Sequence, residues 1–271
     1  MPESLYWATH EVSYHLWQAG AGTPLLLLHG FTGSAANWAA LFPQFSSQHT
    51  VYAPDLPGHG ATRVPSDCFS MQAAAADLAA LIDQVIGKPA HLLGYSMGGR
   101  LALFLGLHYP AHVRSLTLES ASPGLADDAD RAARRKRDEV LAAQLEREGL
   151  DRFVSRWTDL PLFATQTAAQ KAALVALRRR GNAAGWAASL RGMGTGAQPS
   201  LWDRLGAIDL PVHLIVGEHD RKFRSIAEAM RARLANAVLS VVMEAGHAVH
   251  VERPDDYARL VLAWLGTLEQ S

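Results

Sequence analysis

Ser96 stands at the centre of Gly94-Tyr95-Ser96-Met97-Gly98, which follows an apolar stretch at 90–94 and opens a second one at 97–109. The first stretch predicts a strand and the second a helix. Glycine on both sides of the serine permits the sharp strand-to-helix turn that exposes a nucleophile. A serine hydroxyl is a poor nucleophile or base at neutral pH. It therefore needs an imidazole to accept its proton and a carboxylate to orient that imidazole.

Asp220 and His247 can supply these two groups. Asp220 follows a predicted strand at 212–217, and His247 follows another at 238–243. The carboxyl ends of parallel strands meet at one edge of a sheet, so we expect both side chains beside Ser96. The chain order Ser, Asp, His is the order found in α/β-hydrolases. The sequence therefore predicts a catalytic triad of Ser96, Asp220 and His247.

Two backbone N–H groups are candidates for stabilising negative charge on a substrate oxygen. One belongs to Met97, directly after the serine, and the other to Phe31, in the glycine-rich loop that follows a predicted strand at 25–29. Preorganised donors of this kind form an oxyanion hole. A simple glycine turn in the same loop is an alternative interpretation that is compatible with this role.

The spacing His247-x-x-His250 also occurs in metal sites, but no cluster of carboxylates and cysteines accompanies it in the sequence. No dinucleotide-binding fingerprint is present either. We therefore predict that the protein needs no metal and no organic cofactor.

The elements that must position these residues alternate between strand and helix. Further strands are predicted at 11–18, 50–54 and 113–119, and further helices at 34–42 and 70–85. This alternation predicts an α/β protein with a mostly parallel sheet, helices on both faces and an antiparallel beginning. It stops between Ser122 and Ser200, where the sequence becomes helical and rich in arginine. We expect a core of residues 1–121 and 201–271 and a helical cap at 122–200.

Charge is distributed unevenly along the chain. Residues 124–200 have a net charge of about +4, whereas the whole chain has a formal net charge of -1. A solvated helical face is an equally good interpretation of the basic run at 134–137. The overall balance excludes general nucleic-acid binding, and no stretch approaches the ~20 apolar residues of a membrane span. Cys68 is the single cysteine and residues 1–15 lack a secretory pattern. We expect a cytoplasmic monomer.

Several motifs together resemble a known family. The loop at 29–34, the segment Asp55-Leu56-Pro57-Gly58-His59-Gly60, the serine turn and Gly246-His247 are similar to those of the α/β-hydrolase fold superfamily. A narrower resemblance, to the MenH family of 2-succinyl-6-hydroxy-2,4-cyclohexadiene-1-carboxylate synthases, depends on five further stretches. These are Gly94 to Arg100, Glu119 to Leu125, Ala133-Arg134, Trp157 with 161–164, and Leu174 to Arg178.

The resemblance implies which residues bind the substrate. The substrate-binding arginines of the family fall on Arg100, Arg134 and Arg178, and its pocket-lining aromatic residues on Tyr95 and Trp157. Arg100 lies one helical turn after Ser96, so its side chain can reach the same pocket. Guanidinium groups bind carboxylates bidentately, which suits a small polycarboxylate substrate. Because Arg179 and Arg180 adjoin Arg178, the sequence leaves open which of the three faces the pocket.

The resemblance also implies a lyase of menaquinone biosynthesis. The triad would act as a base that removes a substrate proton and expels pyruvate. A carboxylesterase or a carbon–carbon bond hydrolase with the same triad is the alternative enzyme. A non-catalytic ligand receptor on this fold is a third interpretation, against which the complete triad argues.

Overall fold

A sheet of eight strands is the centre of the protein, whose computed structural model describes residues 2–9, 12–65 and 69–270. The strand order is β1-β2-β4-β3-β5-β6-β7-β8. Strand β2 pairs antiparallel with β1 and β4, and all the other neighbours are parallel. The strands are β1 (Glu3–Ala8), β2 (Ser13–Ala19), β3 (Thr23–Leu28), β4 (His49–Pro54), β5 (Ala90–Tyr95), β6 (Val113–Glu119), β7 (Val212–Gly217) and β8 (Ala237–Val242).

Burial explains the composition of the inner strands. The four leucines 25–28 of β3 are fully buried, because helices cover both faces of the sheet there. The sheet and its neighbouring helices confirm the predicted α/β class, including the antiparallel beginning.

The helices are α1 (Phe42–Ser46), α2 (Met71–Leu81), α3 (Met97–His108), α4 (Asp128–Glu148), α5 (Leu150–Thr158), α6 (Ala168–Arg178), α7 (Ala183–Met193), α8 (Arg221–Arg231), α9 (Val249–Glu252) and α10 (Pro254–Glu269).

Two hydrophobic clusters occupy the two faces of the sheet. One includes buried residues of α2, α3 and α8, and the other buried residues of α1 and α10. Helices therefore cover both faces of the sheet. The edge formed by the carboxyl ends of its parallel strands remains available for a functional site. None of the helices in the described part of the chain is both long enough and apolar enough to cross a membrane.

Helices α4 to α7 lie between β6 and β7 and have a third hydrophobic cluster of their own, which includes Phe153 and Trp186. The two ends of this inserted segment meet, since the N–H of Leu201 donates to the carbonyl of Pro123 at 2.8 Å. The division into a core and a cap at 122–200 stays a prediction.

The structure changes several element boundaries. The helix expected at 34–42 is a 3-10 turn, Ala35–Trp38, followed by α1, which begins at Phe42 and has Pro43 in its first turn, where proline is favoured. The strand expected at 11–18 is β2, which begins at Ser13; residue 11 lies outside the described residues, as does Cys68. Strand β1 and helices α8 to α10 were not predicted.

Candidate active site

Ser96 occupies the turn between β5 and α3 in a strained conformation, with φ 50° and ψ -106°. A positive φ is unfavourable for a residue with a side chain, so surrounding packing must enforce it. A Cβ on Gly94 would lie 2.4 Å from the carbonyl oxygen of Gly98, and a Cβ on Gly98 would lie 2.1 Å from that of Leu28. The N–H of Ser96 donates to the carbonyl of Glu119 at 2.8 Å. Close backbone approach therefore explains both glycines of the turn.

The three residues predicted as a triad lie together at the carboxyl edge of the sheet. His247 Nδ1 is 2.6 Å from Asp220 Oδ2, and His247 Nε2 is 3.3 Å from Ser96 Oγ. Both His247 and Asp220 are buried. The second distance is slightly longer than the ~2.6–3.2 Å of a typical nucleophile–base hydrogen bond. This arrangement can pass a proton from the serine to the imidazole while the carboxylate holds the ring.

The loop that carries Phe31 is fixed by tight contacts. The N–H of Gly33 donates to the carbonyl of Gly30 at 3.0 Å, and Thr32 has φ 69°. The N–H of Thr32 donates to His59 Nε2 at 3.3 Å. Burial, aided by the neighbouring His29, lowers the pKa of His59 to about 3. His59 therefore stays neutral and able to accept this hydrogen bond.

Met97 begins α3, so its N–H is one of the amides at the helix N-terminus that no carbonyl of the same helix accepts. Phe31 and Met97 both line the cavity beside Ser96. The geometry brings the two predicted oxyanion-hole residues to the same site. Their donation to a reacting oxygen stays a prediction.

A cavity of about 270 Å³ opens beside the serine. It brings together seven of the residues singled out in the sequence: Phe31, Ser96, Met97, Arg100, Arg134, Trp157 and His247. Asp220 lies behind His247, as its orienting role requires. Tyr95 and Arg178 line a second, much smaller cavity of about 20 Å³, which shares Phe31 with the first. The structure therefore separates these two residues from the cavity that contains the serine.

Arg100 is buried and has few partners. Its Nη1 donates to Gln198 Oε1 at 2.7 Å. Burial, and secondarily the charge of Arg134, lower its pKa to about 10, whereas Asp138 opposes that shift. The guanidinium is still charged at neutral pH. Arg134 Nε donates to Asp138 Oδ1 at 2.7 Å. Two guanidiniums therefore share the charge of one carboxylate, Asp138. The positive charge that remains at this end of the cavity can bind an anion.

Arg178 is the inward-facing member of its run, since Arg179 and Arg180 are exposed. It donates to the hydroxyls of Thr32 and Thr158 at 3.1 and 3.0 Å. Burial lowers the pKa of Arg178 from its ordinary value. Among the described residues, no carboxylate lies within ion-pair distance of it. A buried cation of this kind is suited to an anionic ligand.

The ring of Tyr95 lies close to the rings of two histidines at the site. The ring centroid is 5.4 Å from that of His247 and 4.5 Å from that of His250. Burial raises the pKa of Tyr95 well above its ordinary value, so the phenol stays neutral. His250 Nδ1 lies 2.9 Å from Glu119 Oε1. The hydrogen-bond partner of His250 is therefore a carboxylate. Within the described ranges, no group of three or more metal-ligating side chains occurs.

Sequence reasoning missed several residues that hold the site together. Gln198 contacts Arg100 from a distant position in the chain, and Asp138 contacts Arg134 from one helical turn further along α4. Glu119 binds His250, and Glu252 accepts hydrogen bonds from Gly246 and Ala248. The sequence offered a local signal for Asp138 alone, through its i,i+4 spacing from Arg134 on one helix.

Comparison with known proteins agrees with this geometry. A family model described as alpha/beta hydrolase fold matches residues 23–254. The chain is 40% identical over 253 residues, 92% of each chain, to a Bacillus subtilis (strain 168) protein provisionally named 2-succinyl-6-hydroxy-2,4-cyclohexadiene-1-carboxylate synthase. It is 37% identical to the synthase of that name from Klebsiella pneumoniae subsp. pneumoniae, over 85% of this chain and 88% of the other.

Among solved structures, MenH from S. aureus superposes with a TM-score of 0.90 at 31% identity, covering 96% of this chain and 100% of that one. The chain therefore belongs to the α/β-hydrolase fold family and, within it, to the MenH family of 2-succinyl-6-hydroxy-2,4-cyclohexadiene-1-carboxylate synthases.

Proposed function

We propose that this protein is a carbon–oxygen lyase of menaquinone biosynthesis that forms 2-succinyl-6-hydroxy-2,4-cyclohexadiene-1-carboxylate. It eliminates pyruvate from 2-succinyl-5-enolpyruvyl-6-hydroxy-3-cyclohexene-1-carboxylate. One observation carries the proposal: Ser96 and His247 open onto a cavity that also contains the guanidiniums of Arg100 and Arg134. A base beside two cations suits proton abstraction from a polycarboxylate. The family to which the chain belongs supports the same reaction.

The base is assembled from the triad. Asp220 accepts the Nδ1–H of His247 and so keeps Nε2 free to accept a proton. Nε2 takes the proton of Ser96 Oγ, and the serine oxygen removes the proton on C2 of the substrate ring. This proton is acidic because C2 adjoins the ketone of the succinyl group.

The electron pair released at C2 drives the elimination. The ring double bond moves from C3–C4 to C2–C3, a second one forms between C4 and C5, and the C5–oxygen bond breaks. The leaving enolate takes up a proton and becomes pyruvate. Negative charge collects on the succinyl carbonyl oxygen during proton removal, and the N–H groups of Phe31 and Met97 are the proposed donors to that oxygen.

The carboxylates of the substrate are the proposed ligands of Arg100, Arg134 and Arg178, with Tyr95 and Trp157 forming walls. Arg100 and Arg134 already face the cavity. Arg178 lines the smaller cavity, which shares Phe31 with the first, and its contact with a substrate carboxylate is part of the proposal. Arg178 is buried, and no carboxylate of the described residues lies within ion-pair distance of it, which supports its assignment as an anion-binding residue.

We propose further that residues 122–200 form a cap over a core of residues 1–121 and 201–271. The separate hydrophobic cluster of α4, α5 and α7 supports this division. The substrate is a small polycarboxylate and not a nucleic acid, and the enzyme is proposed to act as a cytoplasmic monomer without a cofactor. The single cysteine in the chain supports the reducing compartment.

The test is direct. Purified protein is incubated with the enolpyruvyl substrate, and pyruvate release is followed with lactate dehydrogenase and NADH. We expect release at rates typical of enzymes, with Ser96→Ala as the inactive control. Absence of pyruvate release, together with rapid hydrolysis of carboxylic esters, would instead support the esterase alternative.

A further inference from the structure

The loop between β8 and α9 must hold His247 in place, although it is irregular and has a strained residue, Glu244, near its start. Glu244 has φ 53°, and residues 243 and 244 are exposed. His247 itself is buried and contacts Ser96 at 3.3 Å. A displacement of about 1 Å at a catalytic group can cost on the order of 100-fold in rate. Something other than the exposed part of the loop must therefore fix the imidazole.

Glu252 contacts the backbone on both sides of His247. Its Oε2 accepts the N–H of Gly246 at 2.7 Å, and its Oε1 accepts the N–H of Ala248 at 3.2 Å. One carboxylate therefore joins the two amides that flank the catalytic histidine. Hydrogen bonds to an ionised acceptor are about twice as strong as neutral ones, so this bridge restrains both ends of the residue.

Glu119 joins the same loop to the nucleophile. Its backbone carbonyl accepts the N–H of Ser96 at 2.8 Å. Its side-chain Oε1 accepts the N–H of His250 at 3.1 Å and lies 2.9 Å from His250 Nδ1. Both Glu119 and His250 are buried. A single residue at the end of β6 thus contacts the serine turn through its backbone and the histidine loop through its side chain.

We propose that Glu252 and Glu119 are positioning residues that set the distance between His247 and Ser96. Glu252 fixes the backbone around the imidazole, and Glu119 fixes that loop relative to the serine. The inference rests on the proposed function, because it assigns the triad the role of base. The two carboxylates differ in one respect: both oxygens of Glu252 accept backbone N–H groups, whereas Glu119 Oε2 has no partner within hydrogen-bond distance and angle among the described residues. The polar neighbour of the Glu119 carboxylate is the phenol of Tyr257, whose pKa burial and Glu119 raise well above its ordinary value.

This difference predicts that the enzyme tolerates glutamine at position 119 but not at position 252. In Glu252→Gln an amino group replaces one acceptor and faces a backbone N–H, so we expect kcat to fall roughly 10- to 100-fold with KM within about 3-fold. In Glu119→Gln the accepting oxygen is retained and the amino group takes the unpartnered position, so we expect kcat within about 3-fold. Glu119→Leu removes the acceptor and should lose about as much kcat as Glu252→Gln.

A second readout makes the test independent of the lyase reaction. A neutral fluorophosphonate modifies Ser96, and the rate of this reaction depends on His247 as the base. The final number of modified serines per protein molecule gives the fraction of correctly folded sites. We expect Glu252→Gln and Glu252→Ala to react slowly to full stoichiometry. Glu244→Gln, an exposed carboxylate in the same loop, is the matched control and should react like the unaltered protein.

Three results would overturn the proposal. One is equal loss, or no loss, in the two glutamine variants. Another is a Glu252 variant in which fewer serines react, but those that do react at the rate of the unaltered protein. This result would indicate that Glu252 only stabilises the fold. The third is a loss in Glu244→Gln as large as in Glu252→Gln. If pyruvate release fails in every protein while phosphonate reactivity follows the expected order, the proposed function is wrong and the positioning role stands.

Discussion

Arg100→Ala should lower kcat/KM for pyruvate release far more than it lowers reactivity towards a neutral reagent. Arg100 is buried in the cavity beside Ser96, and its pKa of about 10 leaves it charged at neutral pH. A guanidinium has five N–H donors, and one of them has an acceptor among the described residues, Gln198 Oε1. The remaining donors can bind a substrate carboxylate.

The magnitude follows from these contacts. A hydrogen bond to a charged group contributes about 1.5 to 3 kcal/mol, which corresponds to roughly a 10- to 150-fold loss in kcat/KM. Arg134 already donates its Nε to Asp138, and its side chain is 36% exposed. We therefore expect Arg134→Ala to lose less than Arg100→Ala. Arg180→Ala removes an exposed cation of the same segment and should change kcat/KM less than 2-fold or so.

The assay compares two reactions of each variant at one ionic strength. Pyruvate release is followed with lactate dehydrogenase, and the reaction of Ser96 with a neutral fluorophosphonate serves as the uncharged reference. The reasoning is refuted if Arg100→Ala slows both reactions by the same small factor, which is the esterase expectation. A loss in Arg180→Ala equal to that in Arg100→Ala would refute it too, since general charge would then replace a specific contact.

Three other predictions concern the base, the metal and the response to acid. Ser96→Ala and His247→Ala should each abolish pyruvate release with little change in Tm, and near-normal turnover in either would contradict the triad. Prolonged dialysis against a chelator should leave kcat unchanged; activity lost and then restored by a divalent ion would contradict a metal-independent base. His59 has its folded-state pKa lowered to about 3 from 6.5, so its neutral form stabilises the fold above pH 6.5, and this stability is lost as pH falls towards 3. Urea unfolding at pH 7 and pH 4.5 should show a smaller acid-induced loss of the unfolding free energy in His59→Gln, and equal losses would exclude His59 as a source of acid sensitivity.

The sequence was informative where function depends on a position relative to a strand. Ser96, Asp220 and His247 each follow an apolar strand, and parallel strands bring their carboxyl ends together whatever the details of packing. Strand β1 was harder, because it is an edge strand in which most side chains are exposed, so burial does not impose a clear apolar alternation on its sequence. The helix expected at 34–42 ends at Trp38, and a separate helix, α1, begins at Phe42 with Pro43 in its first turn, a position that proline favours.

Side-chain direction was the main property that the sequence could not supply. Arg178, Arg179 and Arg180 are chemically identical neighbours, and the packing of α6 on the core decides that Arg178 is buried. The partition of Tyr95 and Arg178 into a second cavity depends on Phe31, from a distant segment. Gln198 and Glu119 likewise act through tertiary contacts, for which a single sequence has no periodic or local signal.

The meeting of the two ends of the inserted helices at Pro123 and Leu201 has a consequence for how the fold can diversify. The entropy cost of closing a loop grows with the logarithm of its length, so doubling such a segment costs only about 0.6 kcal/mol. An insertion whose ends already touch can therefore be lengthened, shortened or exchanged with little effect on the register of β6 against β7. The side chains that α4, α5 and α7 contribute to the cavity can then change faster in evolution than the strand ends that carry the serine and histidine.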